Sequence, residues 1–582
     1  MAPIIRFLTA SLLAGASMMS AAPLSAQAPT CRAPAAGSLP KPAKVPKKDR
    51  GKFSVEAAPR LSTLVAQAIC DSEAKMVADR NTMPQGAALG ISNQVLNTAA
   101  GRLELMALPG VESELQKALA AFARSWPYAQ LPRQPRILFR ASDSYDAYAL
   151  PDNTIVMSTG ILQAADSDSE VLFVLAHEYA HLLLGHHLSP TVNSGGNAQL
   201  LGAVSTVYVA GSLVSQLRSS RGSLSAMDVN RVDDATRRAA TLTESLRFAL
   251  DDIFTPSWSH EQEDEADAVA LDLLIRSNSS IDSYANVFAR LQKMMDQQTA
   301  SRAKGKATAE SSQKALEASL KQIGSLQLLG AVTSGSTRGL AWMGGKLALG
   351  LGASALSNSA NAIPKDTHLP PEERRKGLAA YFQAGYPTAD PPIDTGAMVK
   401  RYKALPDYKR AIALKDTYLK ARQAYFSMDF TGAITLLKGI GAGTKTAPTF
   451  VNFMAALAAR DMGNSTQAKL YYEAARTGTG VPNVQVFESY AEARIADRDF
   501  AGSQIVLNDA LNRFRDADHF RSIAIERSVA EGNDALASSD YSSCQQVKGR
   551  DYIPARCKAA YPQAAAAETT KKPRIRIPGL PF

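Results

Sequence analysis

The feature that most constrains this chain is a strongly apolar helix that nonetheless carries two histidines and a glutamate. Asp168 to about Leu184 reads as one strongly apolar helix, opened by a capping box in which Ser167 precedes Glu170 by three residues. Within it stands Val174-Leu175-Ala176-His177-Glu178-Tyr179-Ala180-His181. Histidines four apart leave a helix from one face, so both imidazoles can reach a single metal ion. Glu178, next to the first ligand, is placed to act as general base. A purely structural helix has no use for three such groups inside an apolar run, because each is costly to bury without a partner. The fold must therefore bring a further ligand to this helix.

Two segments compete for that role. An astacin- or matrixin-like site would use His187, but it needs glycine at 184 to turn the chain back, and position 184 is Leu. Downstream, Ser259-His260-Glu261-Gln262-Glu263-Asp264-Glu265-Ala266-Asp267 starts a second helix, with Ser259 and Gln262 as its capping pair. Ala266, Val269, Ala270 and Leu273 mark its buried face, and Glu263 and Asp267 flank that stripe at i,i+4. Glu263 can complete a His₂Glu site, while Asp267 can accept the free N–H of a liganding histidine. Glu261, Asp264 and Glu265 read as an ordinary solvated helix start. His186 and His187 read as surface or supporting residues and His519 as structural.

At these residues the chain resembles the gluzincin metallopeptidases that include the CAAX prenyl endopeptidase, HtpX and BepA. The resemblance rests on Asn153 to Leu162, His177-Glu178-Tyr179-Ala180-His181 with His186, Glu263-Asp264-Glu265-Ala266-Asp267, and Thr367-His368 followed by Glu373-Arg374. It covers about residues 60–395 and implies one Zn²⁺ per chain, held by His177, His181 and Glu263. Two departures stand out: Ser259-His260 replaces the usual serine-arginine, and Leu369 replaces the usual proline. The implied mechanism has Glu178 deprotonate a water that attacks the peptide carbonyl. His368 and Arg374 are candidates for the second oxyanion donor, and a His368 that caps the metal in a latent state is an alternative. The strand Asn153, Thr154, Ile155, Val156, Met157, Ser158 is expected to pair with an extended substrate backbone.

The implied fold is α+β and mainly α: a zincin-like peptidase domain with a small sheet, followed by a helical tetratricopeptide-like repeat domain. Ile137 to Arg140 and Asn153 to Ser158 read as strands, the second closed by Thr159-Gly160. Asp429-Phe430-Thr431-Gly432-Ala433, Gly463 to Ala468 and Asp499 to Ser503 recur, with Ala433, Ala468 and Ser503 spaced by 35 residues. A weaker echo is Asp540-Tyr541-Ser542. The resulting division is a signal peptide (1–28), a Pro/Lys-rich linker (29–54), the peptidase domain (55–395), the repeats (400–561) and a basic tail (562–582). An irregular helical bundle is the alternative for the repeats.

Charge and composition narrow the function classes. The chain of 582 residues carries a formal net charge of +10, and Arg6, the stretch 41–52 and the run 571–576 account for all of it. The folded middle is balanced, which argues against a nucleic-acid binder. Four cysteines are too few for a disulfide scaffold. An apolar leader ending in Ala26-Gln27-Ala28 points to export, and proximity pairs Cys31 with Cys70 and Cys544 with Cys557. Two apolar stretches, 200–217 and 323–356, either pack over the core or touch a membrane peripherally. The leading expectation is a periplasmic zinc endopeptidase whose repeats recruit protein substrates, among them envelope or outer-membrane proteins, or the outer-membrane assembly machinery. The rivals are a chaperone or assembly scaffold with latent or minor proteolysis, and a membrane-embedded protease.

Overall fold

The computed structural model describes residues 104–126, 131, 134–150, 153–186, 260–296, 370–514, 516–547 and 552–561. The expected leader, linker and tail, the stretches 200–217 and 323–356, and Cys31, Cys70, His187, Ser259 and His368 lie outside these residues. Among the described residues, no helix is long and apolar enough to cross a membrane. The described residues are mostly helical with one small sheet, the α+β, mainly α class expected.

Both expected strands form, as β2 (Arg136–Arg140) and β4 (Thr154–Ser158). Two further strands, β1 (Leu105–Met106) and β3 (Ala147–Leu150), complete a four-stranded sheet in the order β1-β2-β4-β3. β2 and β4 run parallel, and the two outer pairings are antiparallel. The two-residue alternation of strands divides the side chains cleanly. Ile137, Phe139, Ala149, Ile155 and Met157 enter the main core, while Leu138, Tyr148, Leu150 and Val156 form a smaller cluster on the far face.

This topology corrects one expectation. The strand of Asn153, Thr154, Ile155, Val156, Met157 and Ser158 cannot receive a substrate, because β4 is bonded to β2 on one side and β3 on the other. Asn153 itself is a turn residue with φ 61°, a conformation asparagine tolerates. Thr159-Gly160 also does more than close the strand. It opens α2 (Thr159–Ala164), capped by Ser158, and a Cβ on Gly160 would lie 2.2 Å from the Ser144 carbonyl oxygen. Only glycine permits that approach.

Helix α1 (Pro109–Ser125) packs beneath the sheet beside α3 (Asp168–Leu183), the strongly apolar helix, most of whose residues are buried. The N-terminus of α3 is held as expected by Ser167 and, in addition, by a residue 226 positions beyond Asp168. Asp394 accepts from the N–H groups of Asp168 (3.1 Å) and Ser169 (2.7 Å), while Asp168 accepts from Met398 and Val399 at the start of α6 (Ala397–Ala404). Two helix starts thus cap each other. The second motif lies on α4 (His260–Arg276), and α5 (Pro371–Gly385) crosses it; α6 (Ala397–Ala404) then leads into the C-terminal helices.

Those helices are α7 (Pro406–Phe426), α8 (Phe430–Gly439), α9 (Thr449–Asp461), α10 (Ser465–Thr477), α11 (Val484–Ala496), α12 (Phe500–Phe514), α13 (Ala517–Glu531), α14 (Asp534–Cys544) and α15 (Tyr552–Ala560). One turn recurs between partners. Met428, Gly463, Arg498 and Gly532 all take positive φ (62°, 87°, 58° and 79°). Asp429, Asn464, Asp499 and Asn533 follow and cap the next helix. A helix-ending bond back to the preceding helix accompanies each, as from Asn464 N–H to the Ala459 carbonyl (2.9 Å). The fourth turn is therefore Gly532-Asn533. Asp540-Tyr541-Ser542, read as the fourth echo, lies inside α14. Cys544 and Cys557 form the expected disulfide, tying α14 to α15.

The C-terminal helices do not stand apart from the sheet. Asp407 of α7 accepts from the Gly110 N–H at the start of α1 (2.7 Å), and Lys415 bonds Asp143 and Gln163. Tyr418 and Arg422 both reach Glu104 at 3.3 Å, and Glu104 lies 3.6 Å from the buried Arg140. Val481, between α10 and α11, packs on the far face of the sheet. One apolar core runs continuously from Met106 to Ile523. Glu104→Ala is expected to cost about 1–3 kcal/mol in chemical denaturation, since it removes one of the two carboxylates that face the buried Arg140 and leaves Asp146 at 3.4 Å as the other. The wild type is expected to lose its sheet and its C-terminal helices in one transition; two well-separated transitions would contradict the shared core.

Candidate metal centre

Helix α3 presents His177, Glu178 and His181, and α4 lies against it with Glu263 and Asp267 one turn apart. The two imidazole Nε2 atoms are 3.1 Å from each other. Glu263 Oε2 is 3.5 Å from the first and Oε1 is 3.7 Å from the second. These three residues are the group among the described residues whose donor atoms converge closely enough to hold a metal ion, all within 4.8 Å. A tetrahedral ion with bonds near 2.0–2.1 Å separates its ligand atoms by about 3.3 Å, so the spacing fits. His181 is fully buried and Glu263 nearly so, whereas the His177 side chain keeps 12 % exposure and marks the solvent side of the centre.

The electrostatics also fit a cation. Burial alone would lower the His177 imidazole, but hydrogen bonding and charge from Asp267 and Glu263 reverse this and raise it to about 10. Two carboxylates therefore favour positive charge at His177, whether a proton or a metal ion supplies it. Burial, with His177 and His186 beside it, holds His181 well below its ordinary value, which leaves a neutral ring with a lone pair to offer.

Asp267 lies beside the first histidine, where the sequence reading put it. Its Oδ1 is 2.9 Å from His177 Nδ1, although that contact lies off the ideal hydrogen-bond direction. Burial would raise the Asp267 carboxyl, but Arg374 and His177 keep it below the ordinary range. Arg374 grips Asp267 with two bonds of 2.8 Å, and its Nη2 lies 3.1 Å from Glu263 Oε2. The expectation that Arg374 faces the reacting carbonyl is thus corrected: its Nε and Nη2 are directed at the carboxylates of α4. His368, the other candidate, lies outside the described residues. Tyr381 and Tyr386 bond Asp272 (2.8 and 2.6 Å), fixing α5 along α4 so that Arg374 keeps its place.

Glu178 is only 6 % exposed and stands beside β3. Burial raises its carboxyl to about 7, against the opposing pull of His177 and the Ala149 backbone on β3. A base poised near neutrality suits proton transfer at ordinary pH. Beside it, β3 is an edge strand of the sheet among the described residues, whereas β4 is internal.

Sequence reasoning missed one pair. Asp264 and Glu265 do not face solvent as expected: Asp264 is 8 % exposed, and Glu265 lies 3.2 Å from His186 Nε2. The signal was His186 itself, an imidazole just past the end of an apolar helix.

Residues 109–360 match Peptidase family M48. The chain carries an M48 peptidase domain. The matched span contains His177, Glu178, His181, Glu263 and Asp267, so the donor set belongs to a metallopeptidase. No curated protein matches the chain.

A pH dependence follows for the peptidase. Glu178 must be a carboxylate to take a proton, so kcat/KM is expected to fall as pH drops through its pKa. A bound cation pulls that value down from about 7, so the midpoint is expected between the ordinary 4.5 and about 7. A profile with no acid limb in that interval would contradict the assignment.

Proposed function

We propose that this M48 domain is a zinc-dependent endopeptidase acting in the periplasm on misfolded or assembling envelope and outer-membrane proteins. The observation that carries the catalytic part is the convergence of His177, His181 and Glu263 from two helices, with Glu178 alongside. Two nitrogens and one oxygen, with no thiolate, form a donor set that zinc favours, and three protein ligands are what a catalytic rather than a structural site provides. When bound, one Zn²⁺ per chain would supply a Lewis acid that makes a water nucleophilic at neutral pH and polarises the scissile carbonyl.

The rest falls to the chain. An extended substrate adds to the edge of β3, where backbone pairing tolerates many sequences. Glu178 takes the proton of the attacking water on its carboxylate and passes it to the leaving nitrogen, for which its raised pKa suits it. Asp267, braced by Arg374, holds the His177 ring in its liganding orientation.

Location and partners rest on other features of the chain. The apolar leader, its small-residue end and the Cys544–Cys557 bond are what an exported chain would carry. The 35-residue helical hairpins are of the tetratricopeptide-like kind, whose stacked faces recruit protein partners; the resemblance to the BepA-like branch extends that role to outer-membrane assembly.

The test is zinc content and casein cleavage of the exported form beside Glu178→Gln. About one zinc per chain in both is expected, with cleavage lost at least ~10³-fold in the variant. Zinc in both with cleavage in neither favours the scaffold with a latent site. Absence of zinc from both sinks the reading.

A further inference from the structure

The turn that ends α3 leads to a residue the mechanism has not used. Gly185 takes a positive φ of 63° and its N–H bonds the Leu182 carbonyl (3.2 Å), so the chain reverses after Leu184 and returns His186 towards the helix it has just left. His186 is 5 % exposed. Its Nδ1 lies 2.8 Å from Nδ1 of His181, and its Nε2 lies 3.2 Å from Glu265 Oε2 on α4. The two rings meet nearly edge to face, with centroids 4.9 Å apart at 71°. His186 therefore approaches His181 from the side opposite the Nε2 atoms and is no ligand to the same ion.

The protons in this row can be assigned by chemistry alone. A carboxylate only accepts, so Glu265 requires the hydrogen of His186 on Nε2. A singly protonated His186 ring with its hydrogen on Nε2 has its lone pair on Nδ1, in line to accept from His181 Nδ1 2.8 Å away. His181 must accordingly carry its hydrogen on Nδ1, leaving the lone pair on Nε2, the atom that faces His177 Nε2 and Glu263. The opposite tautomer of His181 would put a hydrogen where a metal ion has to bind.

We propose that His186, set by Glu265, is a positioning residue that fixes the tautomer and ring orientation of His181 and thereby raises the affinity of the centre for zinc. The two ligand histidines are then prepared by different devices. Asp267 acts on His177 directly, whereas Glu265 acts on His181 through an intervening imidazole. The inference rests on the metal reading above.

The measurement is the zinc affinity of the full chain carrying Glu178→Gln, by competition with a chelator, together with thermal unfolding of each metal-free variant. His186→Phe keeps the ring volume and removes the acceptor, and roughly a ten- to hundredfold loss of affinity is expected. His186→Asn restores an acceptor near the Nδ1 position and is expected to return affinity to within about threefold of the parent. Equal affinity for the His186→Phe variant and its parent would overturn the proposal. So would equal losses for the His186→Phe and His186→Asn variants, since the acceptor would then not be what matters. Should His186→Phe fail to fold, Glu265→Leu serves in its place. It leaves the imidazole but frees it to turn, and unchanged affinity there overturns the proposal as well. A parent chain that binds no zinc would instead remove the metal reading itself.

Discussion

Glu263, Asp267 and the guanidinium of Arg374 lie buried together where α4 meets α3 and α5, and the rest of the centre depends on how that charge is compensated. Arg374 answers Asp267 with a bidentate pair and touches Glu263, and Asp267 in turn faces His177. Isolated, any one of these groups would be expelled from the interior or neutralised. Together they leave Glu263 and two imidazole nitrogens directed at one point. His177 and Arg374 compensate Glu178 only in part, so that its burial prevails and raises its carboxyl to about 7. The same surroundings thus favour a cation at the histidines and, beside them, a carboxyl that takes up a proton near neutrality.

Holding that geometry requires that α3 not shift against α4. The structure supplies restraints from distant parts of the chain. Asp394 and Asp168 exchange caps between α3 and α6, and Asn286 and Arg290 bond the buried Glu170 in the first turn of α3. The C-terminal helices join the same core through Asp407, Lys415 and Glu104. The network around Glu104 reaches Tyr148 through Arg140, and Tyr148 adjoins Ala149 on the strand that borders Glu178. Helix α7 is thus linked through side-chain bonds to the strand beside Glu178.

What could be read from the sequence was what is local. The 177–181 spacing fixes two ligands because i,i+4 neighbours share a helix face in any fold. Glu263 and Asp267 were legible for the same reason, flanking an apolar stripe. The strand at 154–158 was legible as a strand, yet its place in the sheet was not: period-two patterning cannot say whether an edge is open, and β3 was too short to announce itself. Glu265 looked solvated because its partner, His186, stands 79 residues away in sequence. The fourth hairpin was misplaced because Asp540-Tyr541 imitates the acid–aromatic pair of the earlier repeats. The turn itself is set by a residue that tolerates positive φ followed by a capping side chain, which Gly532-Asn533 supplies.

X-ray absorption at the zinc edge of the purified chain tests the central claim most directly, because it reports the ligands without relying on turnover. Two imidazole nitrogens and a carboxylate oxygen are predicted in a shell at about 2.0–2.2 Å, with one imidazole lost in His181→Ala. Sulfur in that shell, or a shell of oxygens unchanged by His181→Ala, would contradict the assignment of His177, His181 and Glu263.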